Sequence, residues 1–249
     1  MEKLFYALWA PDGVDSATFG AQLLESTGAR LRERGAERVK INIVDAAVAP
    51  GAHLRQENMQ PSVSAVVSFW LNSAHFRAPF EAELQAVAAR IAGYVVSESV
   101  PIPNVADVPA DGQRTAGFNQ IAFLQKPPRL THGGWLTHWM GHHTMVAVET
   151  QSNFYYCQNI VQRPLTHGAP DWHGFVEECF PAEAMTDPQV FFNAAGDPAA
   201  FDTNLQRMMD SCHAFIDFDR IDVILASEYR LGGWRDLAHP DMPSPWSRQ

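Results

Sequence analysis

The sequence predicts an α+β fold: two ferredoxin-like β-α-β-β-α-β repeats whose antiparallel sheets pack into one barrel within a single chain. Three observations carry that expectation. Apolar runs with strand and helix periods follow the order β-α-β-β-α-β twice along the 249 residues. A Pro- and Asp-rich stretch without any period, Pro101–Thr115, separates the two series. The segment "YVVSES" (Tyr94–Ser99) is answered by "ILASEY" (Ile224–Tyr229), which aligns Ser97 with Ser227 and Glu98 with Glu228. Two sheets that are each apolar on one face would bury those faces together. The alternative is two unrelated α+β domains in series.

In chain order, Leu4–Trp9 reads as a strand stopped by Pro11-Asp12-Gly13. Ser16 can cap a helix running to about Arg34, with Phe19, Leu23, Leu24 and Leu31 at helical spacing. Val39, Ile41 and Ile43 alternate as a strand, and "SVSAVVSFWL" is the next one. A helix over Phe80–Arg90 and the strand "AGYVVSESV" complete the first series. The second opens with the strand "GFNQIAFL". Thr131 or His132 then begins the helix that holds "WLTHWMGHHTMV" (Trp135–Val146). "SNFYYCQNIVQR" and "HGFVEECF" are strands, Ala182–Asn193 and Ala199–Phe215 are helical, and "IDVILASEYRL" is the last strand. The expected organisation is a scaffold repeat at 1–100, a linker at 101–115, a pocket-bearing repeat at 116–231 and a surface tail at 232–249.

Composition excludes several classes. A net charge of −10 offers nothing to release phosphate counterions, so nucleic acid is not an expected partner. No basic run suggests a membrane surface, and no apolar run is long enough to span a bilayer. Cys157, Cys179 and Cys212 are odd in number and form no C-x-x-C pair, which argues against disulfides or a zinc knuckle. The opening "MEKLFYALWAPDG" does not read as a signal peptide. A reducing, cytoplasmic setting is the expectation, for a monomer or a homodimer.

On a wheel of about 100° per residue, Trp135, His138, Trp139, His142, His143 and Val146 share one face of their helix. The corresponding residues of the first series, Phe19, Leu23 and Thr27, keep the apolar row and lack histidine. Three readings of the histidines compete. His138 and His142, four residues apart, could share a metal, although no glutamate completes an H-E-x-x-H pattern. They could be satisfied packing residues. At least one could do acid–base chemistry or hydrogen-bond a ligand. Tyr155 and Tyr156, Asn119 and Gln120, and Glu177 and Glu178 are neighbours on strands and must face opposite ways, so one of each pair could reach a pocket. Glu228 has a twin in Glu98, which makes a structural role as plausible as a chemical one. Phe118, Phe154 and Phe175 read as core.

The segment "FNQIAFLQKPPRLTHGGWLTHWMGHHTMVAVE" resembles the EthD family of dimeric α+β-barrel proteins. That family shows a strand, a Pro-containing turn and a helix patterned as aromatic, three residues, Trp, three residues, His; here these are Trp135, Trp139 and His143. "HGFVEECF" is similar to its third strand and "VILASEYRL" to its last, which carries Glu228. The resemblance covers about 117–231. It implies that the first half is a degenerate copy, and that a barrel usually built from two chains is built here from one. Relatives with this barrel include cofactor-independent monooxygenases, isomerases, polyketide cyclases, chlorite dismutases and haem-degrading enzymes, so the resemblance implies fold more strongly than reaction.

The expected function is a cofactor-independent acid–base enzyme of lyase, isomerase or cyclase type, acting on a small apolar, oxygenated aromatic or polyketide-like molecule. His143 would be the general acid or base, with His138 or His142 assisting. Trp135, Trp139, Asn119, Tyr155, Tyr156 and Glu228 would bind the substrate, and no metal is expected. The alternatives are an oxidoreductase holding haem or a transition metal, or a non-catalytic binding protein for such a ligand.

Overall fold

The structure is a computed structural model that describes residues 1–106 and 108–236. The strands are β1 (Glu2–Trp9), β2 (Glu37–Ile43), β3 (Ala65–Leu71), β4 (Arg90–Ile102), β5 (Phe118–Leu124), β6 (Tyr155–Pro164), β7 (Gly174–Phe180) and β8 (Ile221–Leu231). They close one barrel in the order β1-β3-β2-β8-β5-β7-β6-β4. Every neighbouring pair is antiparallel. Each half therefore lays its strands down as fourth, first, third, second. The halves meet edge to edge, β2 on β8 and β4 on β6, rather than face on face as the sequence suggested. Closure leaves no unpaired strand edge, which an open antiparallel sheet would expose.

The registers of the two halves coincide. β1 on β3 pairs Leu4 with Phe69, Tyr6 with Val67 and Leu8 with Ala65. β5 on β7 pairs Gln120 with Glu178, Ala122 with Val176 and Leu124 with Gly174. Tyr6 faces Gly93 on β4, where Ala122 faces Val223 on β8. Helices cover the outer face of both halves, and both main helices carry a π-helical turn at the matching place. The first has segments Ser16–Ala21 and Gly28–Glu33 around the π turn Gln22–Thr27. The second has His132–Leu136 and Thr144–Thr150 around Thr137–His143.

Some expected boundaries move, each for a local reason. Asp15, not Ser16, caps the first helix by accepting from the Thr18 amide at 2.8 Å. The helix expected over Phe80–Arg90 is Ala78–Gln85, because Arg90 is taken by β4, where it pairs with Trp9. Ala182–Asn193 is two short turns, Ala182–Met185 and Pro188–Phe191, parted before Pro188. The linker begins after Ile102 and is tied to the barrel: Thr115 Oγ1 donates to Glu228 Oε1 at 3.0 Å, and Arg114 Nε to Ser227 Oγ at 2.6 Å. Of the tail, 237–249 lie outside the described residues.

The barrel interior is filled by its own side chains. One end is aromatic: Phe5 stacks on Phe175 with centroids 4.1 Å apart, and Phe123 lies 4.6 Å from Trp172. The other end is a chain of alternating charge. Glu98 meets Lys3 at 2.6 Å, Lys3 meets Glu177 at 3.4 Å, and Glu177 meets Lys40 at 2.6 Å. Lys40 lies 3.8 Å from Glu228, which meets Arg230 at 2.9 Å, and Arg230 meets Asp236 at 3.0 Å. Three of these links, Lys3–Glu177, Lys40–Glu177 and Lys40–Glu228, cross between the halves. Burial alone would raise the Glu177 pKa, but Lys40 and Lys3 outweigh it and hold the carboxyl down to about 2.

A carboxylate depressed in the folded state contributes stability above its unfolded pKa and loses it as pH falls toward the folded one. The Glu177 contribution should therefore vanish as pH drops from 4.5 toward 2. Glu177→Gln leaves two buried lysines short of a counter-charge and should cost about 3 kcal/mol or more at neutral pH. Urea titrations at pH 7 and pH 3 check this: the gap between variant and wild type should narrow markedly at the lower pH.

Candidate functional site

A cavity of about 430 Å³ opens between the outer face of the second-half sheet and its helices. Its floor is β5, β7 and β8, with Gln120, Ala122, Val176, Glu178 and Val223. The long helix Pro198–Phe215 covers it with Met208, Cys212 and Phe215. A further wall comes from the first half: the 3₁₀ segment Ala46–Leu54 and the residues after it bring His53, Leu54 and Gln56 to the rim. Gln56 is held there by two backbone hydrogen bonds with Val223, at 3.0 and 2.8 Å. The expectation of a first half that is only scaffold is amended by that wall.

The matched registers explain why the space is open on this side. In the first half the equivalent floor positions are Leu4, Tyr6, Val67, Phe69 and Gly93. There the Tyr6 ring lies across Gly93, where a Cβ would collide with it, and Phe69 stacks on Phe80 at 5.6 Å. Replacing Tyr6 by Ala122 removes the ring that fills the gap. Replacing Leu4 and Phe69 by Gln120 and Glu178 puts two polar groups on the floor.

Glu178 is buried, and burial pushes its carboxyl up to about 7, against hydrogen bonds from Asn153 and Gln120 that hold it lower. Asn153 Nδ2 donates to Glu178 Oε1 at 3.0 Å. His143 is 9 % exposed and stacks on Phe215 with centroids 4.6 Å apart. Burial, and then the neighbouring His138 and His142, lower its pKa to about 3, so the ring is neutral at physiological pH. Its tautomer follows from its partners. His138 Nε2 lies 3.0 Å from the Ser211 carbonyl, which only accepts, so His138 Nε2 carries a proton. Ser211 Oγ lies 3.3 Å from that nitrogen and 3.0 Å from His143 Nδ1. A Ser211 hydroxyl that accepts from His138 Nε2–H donates to His143 Nδ1, an arrangement that puts the His143 proton on Nε2. That nitrogen has no protein partner among the described residues.

Of the residues expected to do chemistry or bind substrate, His143 lines the cavity, and of the strand pairs singled out in the sequence Gln120 and Glu178 do so too. His142 is exposed, contrary to the shared face expected for the three histidines. The π turn Thr137–His143 is the reason: it breaks the 100° step of an ideal helix. Trp135 and Trp139 pack over Gly174, where a Cβ would strike both indoles, and so anchor the helix to β7. Tyr156 is buried beside them and accepts from Gln158 Nε2 at 3.3 Å. Asn119, Tyr155 and Glu228 point into the barrel: Asn119 Nδ2 donates to Asn42 at 2.9 Å and Lys40 Nζ to Tyr155 Oη at 3.1 Å. Their strand neighbours Gln120 and Glu178 are the ones on the cavity floor, and His53 and Ser211 had no sequence signal.

A search of solved structures finds an anthrone oxidase-like protein with a TM-score of 0.54 and 9 % identity, each chain covered over 96 % of its length. The chain shares that protein's α+β-barrel fold. Two weaker matches are a Lactobacillus acidophilus protein provisionally described as a monooxygenase and a mutant chlorite dismutase from Candidatus Nitrospira defluvii in complex with cyanide. The first has a TM-score of 0.49 at 9 % identity, covering 95 % of this chain and 98 % of its own. The second has 0.45 at 10 % identity, covering 91 % and 90 %. No family model matches the chain, and no curated protein matches its sequence. No match supports the EthD resemblance specifically; the likeness found is to the α+β-barrel fold. No helix among the described residues is long and apolar enough to cross a membrane.

Two outcomes follow from this geometry. Ala122→Tyr combined with Val223→Gly copies the first-half packing, and should fill the cavity without unfolding the protein. Binding of the neutral fluorophore N-phenyl-1-naphthylamine should be lost while the circular dichroism spectrum is kept. A raised carboxyl pKa weighs against folding as pH climbs through it, so Glu178→Gln should stabilise the protein at pH 8 by on the order of 2 kcal/mol and by little at pH 5. Melting curves at the two pH values read that difference.

Proposed function

We propose that this protein is a cofactor-independent acid–base enzyme of lyase, isomerase or cyclase type. Its substrate is a small, neutral, largely apolar molecule with an oxygen function, of the hydroxylated aromatic or polyketide-like kind. The reading rests on one observation: a carboxyl poised near pKa 7 and a neutral imidazole line the same apolar cavity. No Lys or Arg is among the lining residues, which favours an uncharged ligand. The barrel itself we read as two fused ferredoxin-like repeats, and the protein as working in the cytoplasm, as a monomer or a homodimer.

Glu178 is the proton acceptor in this scheme. A base with a pKa near the working pH combines a usable ionised fraction with enough basicity to take a proton. It removes a proton from a C–H or O–H group made acidic by a neighbouring carbonyl or ring. The negative charge gathers on the substrate oxygen, and His143 Nε2–H donates a hydrogen bond to it. Such a fixed donor in an apolar cavity is strong because no water competes and nothing must reorient. The resulting anion can expel a leaving group, take its proton back elsewhere or close a ring. Asn153 keeps the Glu178 carboxyl oriented. His143 is thus a hydrogen-bond and proton donor rather than the base, because a ring with a pKa near 3 holds a proton too weakly to take one from carbon or phenol.

Haem or a transition metal at these histidines is the rival reading, and the residues do not fit it. Among the described residues no three His, Cys, Asp or Glu side chains converge as a metal site. The lining also offers no cation to pair with haem carboxylates. A carrier that only shelters an apolar ligand would use the same cavity, and turnover separates the two. With hydroxylated aromatic and polyketide-like compounds as substrates, the rate should rise with pH through about 7. Glu178→Gln should lower kcat by about 10²–10⁴-fold with KM little changed. Tight binding without turnover, unaltered by Glu178→Gln, would establish the carrier instead.

A further inference from the structure

His143 lies under the long helix, and a proton donor that is used up in each cycle must be refilled. We propose that Ser211 is a proton conduit, its hydroxyl joining the buried His143 to His138 and through it to solvent. This rests on the reading of His143 as a proton donor in the cavity.

Ser211 is 3 % exposed on the long helix, on a face otherwise made of Met208 and Phe215. Nothing in that packing asks for a hydroxyl. What the hydroxyl touches is two imidazoles, His143 Nδ1 at 3.0 Å and His138 Nε2 at 3.3 Å. It is the bridge between them, since the two rings belong to different turns of the Trp135 helix and each reaches Ser211 separately. His138 is half-buried, and its ring lies 5.0 Å from that of His142, which is exposed. The order from outside to inside is therefore His142, His138, Ser211, His143, cavity. His142 is exposed and His138 half-buried, while Ser211 and His143 are both buried.

The transfer balances. His138 first takes a proton from solvent on Nδ1. Its Nε2 proton passes to Ser211 Oγ, the hydroxyl proton passes to His143 Nδ1, and the His143 Nε2 proton passes to the substrate anion. Three bonds to hydrogen break and three form. His138 ends neutral, the anion is neutralised, and Ser211 and His143 end as they began apart from the nitrogen that holds the His143 proton. The step starts from the tautomers that the hydrogen bonds assign, Nε2–H on both rings, so no rearrangement precedes it. Beside the path lie Cys212, one residue along the long helix, and Glu178 across the cavity on β7, and Asp210 and His213 flank Ser211 on the exposed side of the same helix. Burial lifts the Cys212 thiol to about 12, which keeps it protonated and out of the path.

Ser211 and His138 are positioning and relay residues rather than groups that touch substrate, so the test reads protons directly. In the full chain labelled with ¹⁵N-histidine, long-range ¹H–¹⁵N spectra report the tautomer of His143, and saturation transfer from water reports how fast its ring proton exchanges. The expected result is an Nε2–H tautomer whose exchange slows by about tenfold or more in Ser211→Ala and in His138→Phe, with Ser211→Thr restoring it. A His143 protonated on Nδ1 in the native protein, or exchange unchanged in Ser211→Ala, overturns the proposal. If Ser211→Ala fails to fold, His138→Phe and Ser211→Thr carry the same comparison. These spectra need no substrate, so the conduit can fail while Glu178→Gln still abolishes turnover. Equally, a carrier without turnover would leave the tautomer and the exchange rates as described.

Discussion

An eight-stranded barrel encloses just enough space for its own side chains, and in this protein that space is full. Stacked rings occupy one end and an alternating chain of lysines, glutamates and an arginine the other. The cavity opens outside the barrel, between sheet and helices, where side-chain volume can be given up without breaking the strand ladder. The cavity over Ala122 lies in that layer, and its depth is set by a few floor residues rather than by the fold as a whole.

The charged interior and the apolar cavity divide the work of the strands between two faces. Neighbouring residues on β7 show it best. Glu177 points inward to two lysines and is strongly ionised, while Glu178 points outward to an apolar space and stays near half-protonated at neutral pH. The same side chain, one position apart, is an ionised anchor in one case and a carboxyl with a raised pKa in the other. The difference comes from whether cations or only hydrogen-bond donors share its burial. The buried chain of charges costs desolvation energy that an apolar filling would not, and it offers in exchange a specific pairing of the two halves, since Lys3 and Lys40 find Glu177 only when β1, β2 and β7 surround one interior.

Much of this architecture is legible in the sequence, and the reason is periodicity. Eight short apolar runs in the right order, and the match of "YVVSES" to "ILASEY", carry the strand count and the equivalence of the halves. What is not legible is the side to which a strand residue points. In an ordinary half-exposed sheet, polar residues mark the wet face. Here both faces are buried, one by the barrel interior and one by helices, so Asn119 and Gln120, or Glu177 and Glu178, look alike. Comparison with the first half resolves them: Leu4 and Phe69 stand where Gln120 and Glu178 do, and a polar residue replacing apolar core is the informative change. The helix of three histidines misled for another reason. An ideal wheel has no place for a π turn, and the extra residue in that turn carries His142 to solvent.

The unequal halves have a consequence for how such a site can arise. A barrel assembled from two identical chains is bound by its twofold axis: each ring removed to hollow one side is removed from the other, and each buried carboxylate is installed twice. Mutations that open a cavity are thus charged double against a stability margin of only several kcal/mol. A single chain is free of that symmetry. Tyr6 and Phe69 keep one side solid while Ala122 and Glu178 hollow the other, so the solid side acts as a reserve that lets the hollow side drift toward new ligands. Change in such a lineage would be expected to gather on one flank of the barrel and spare the opposite one.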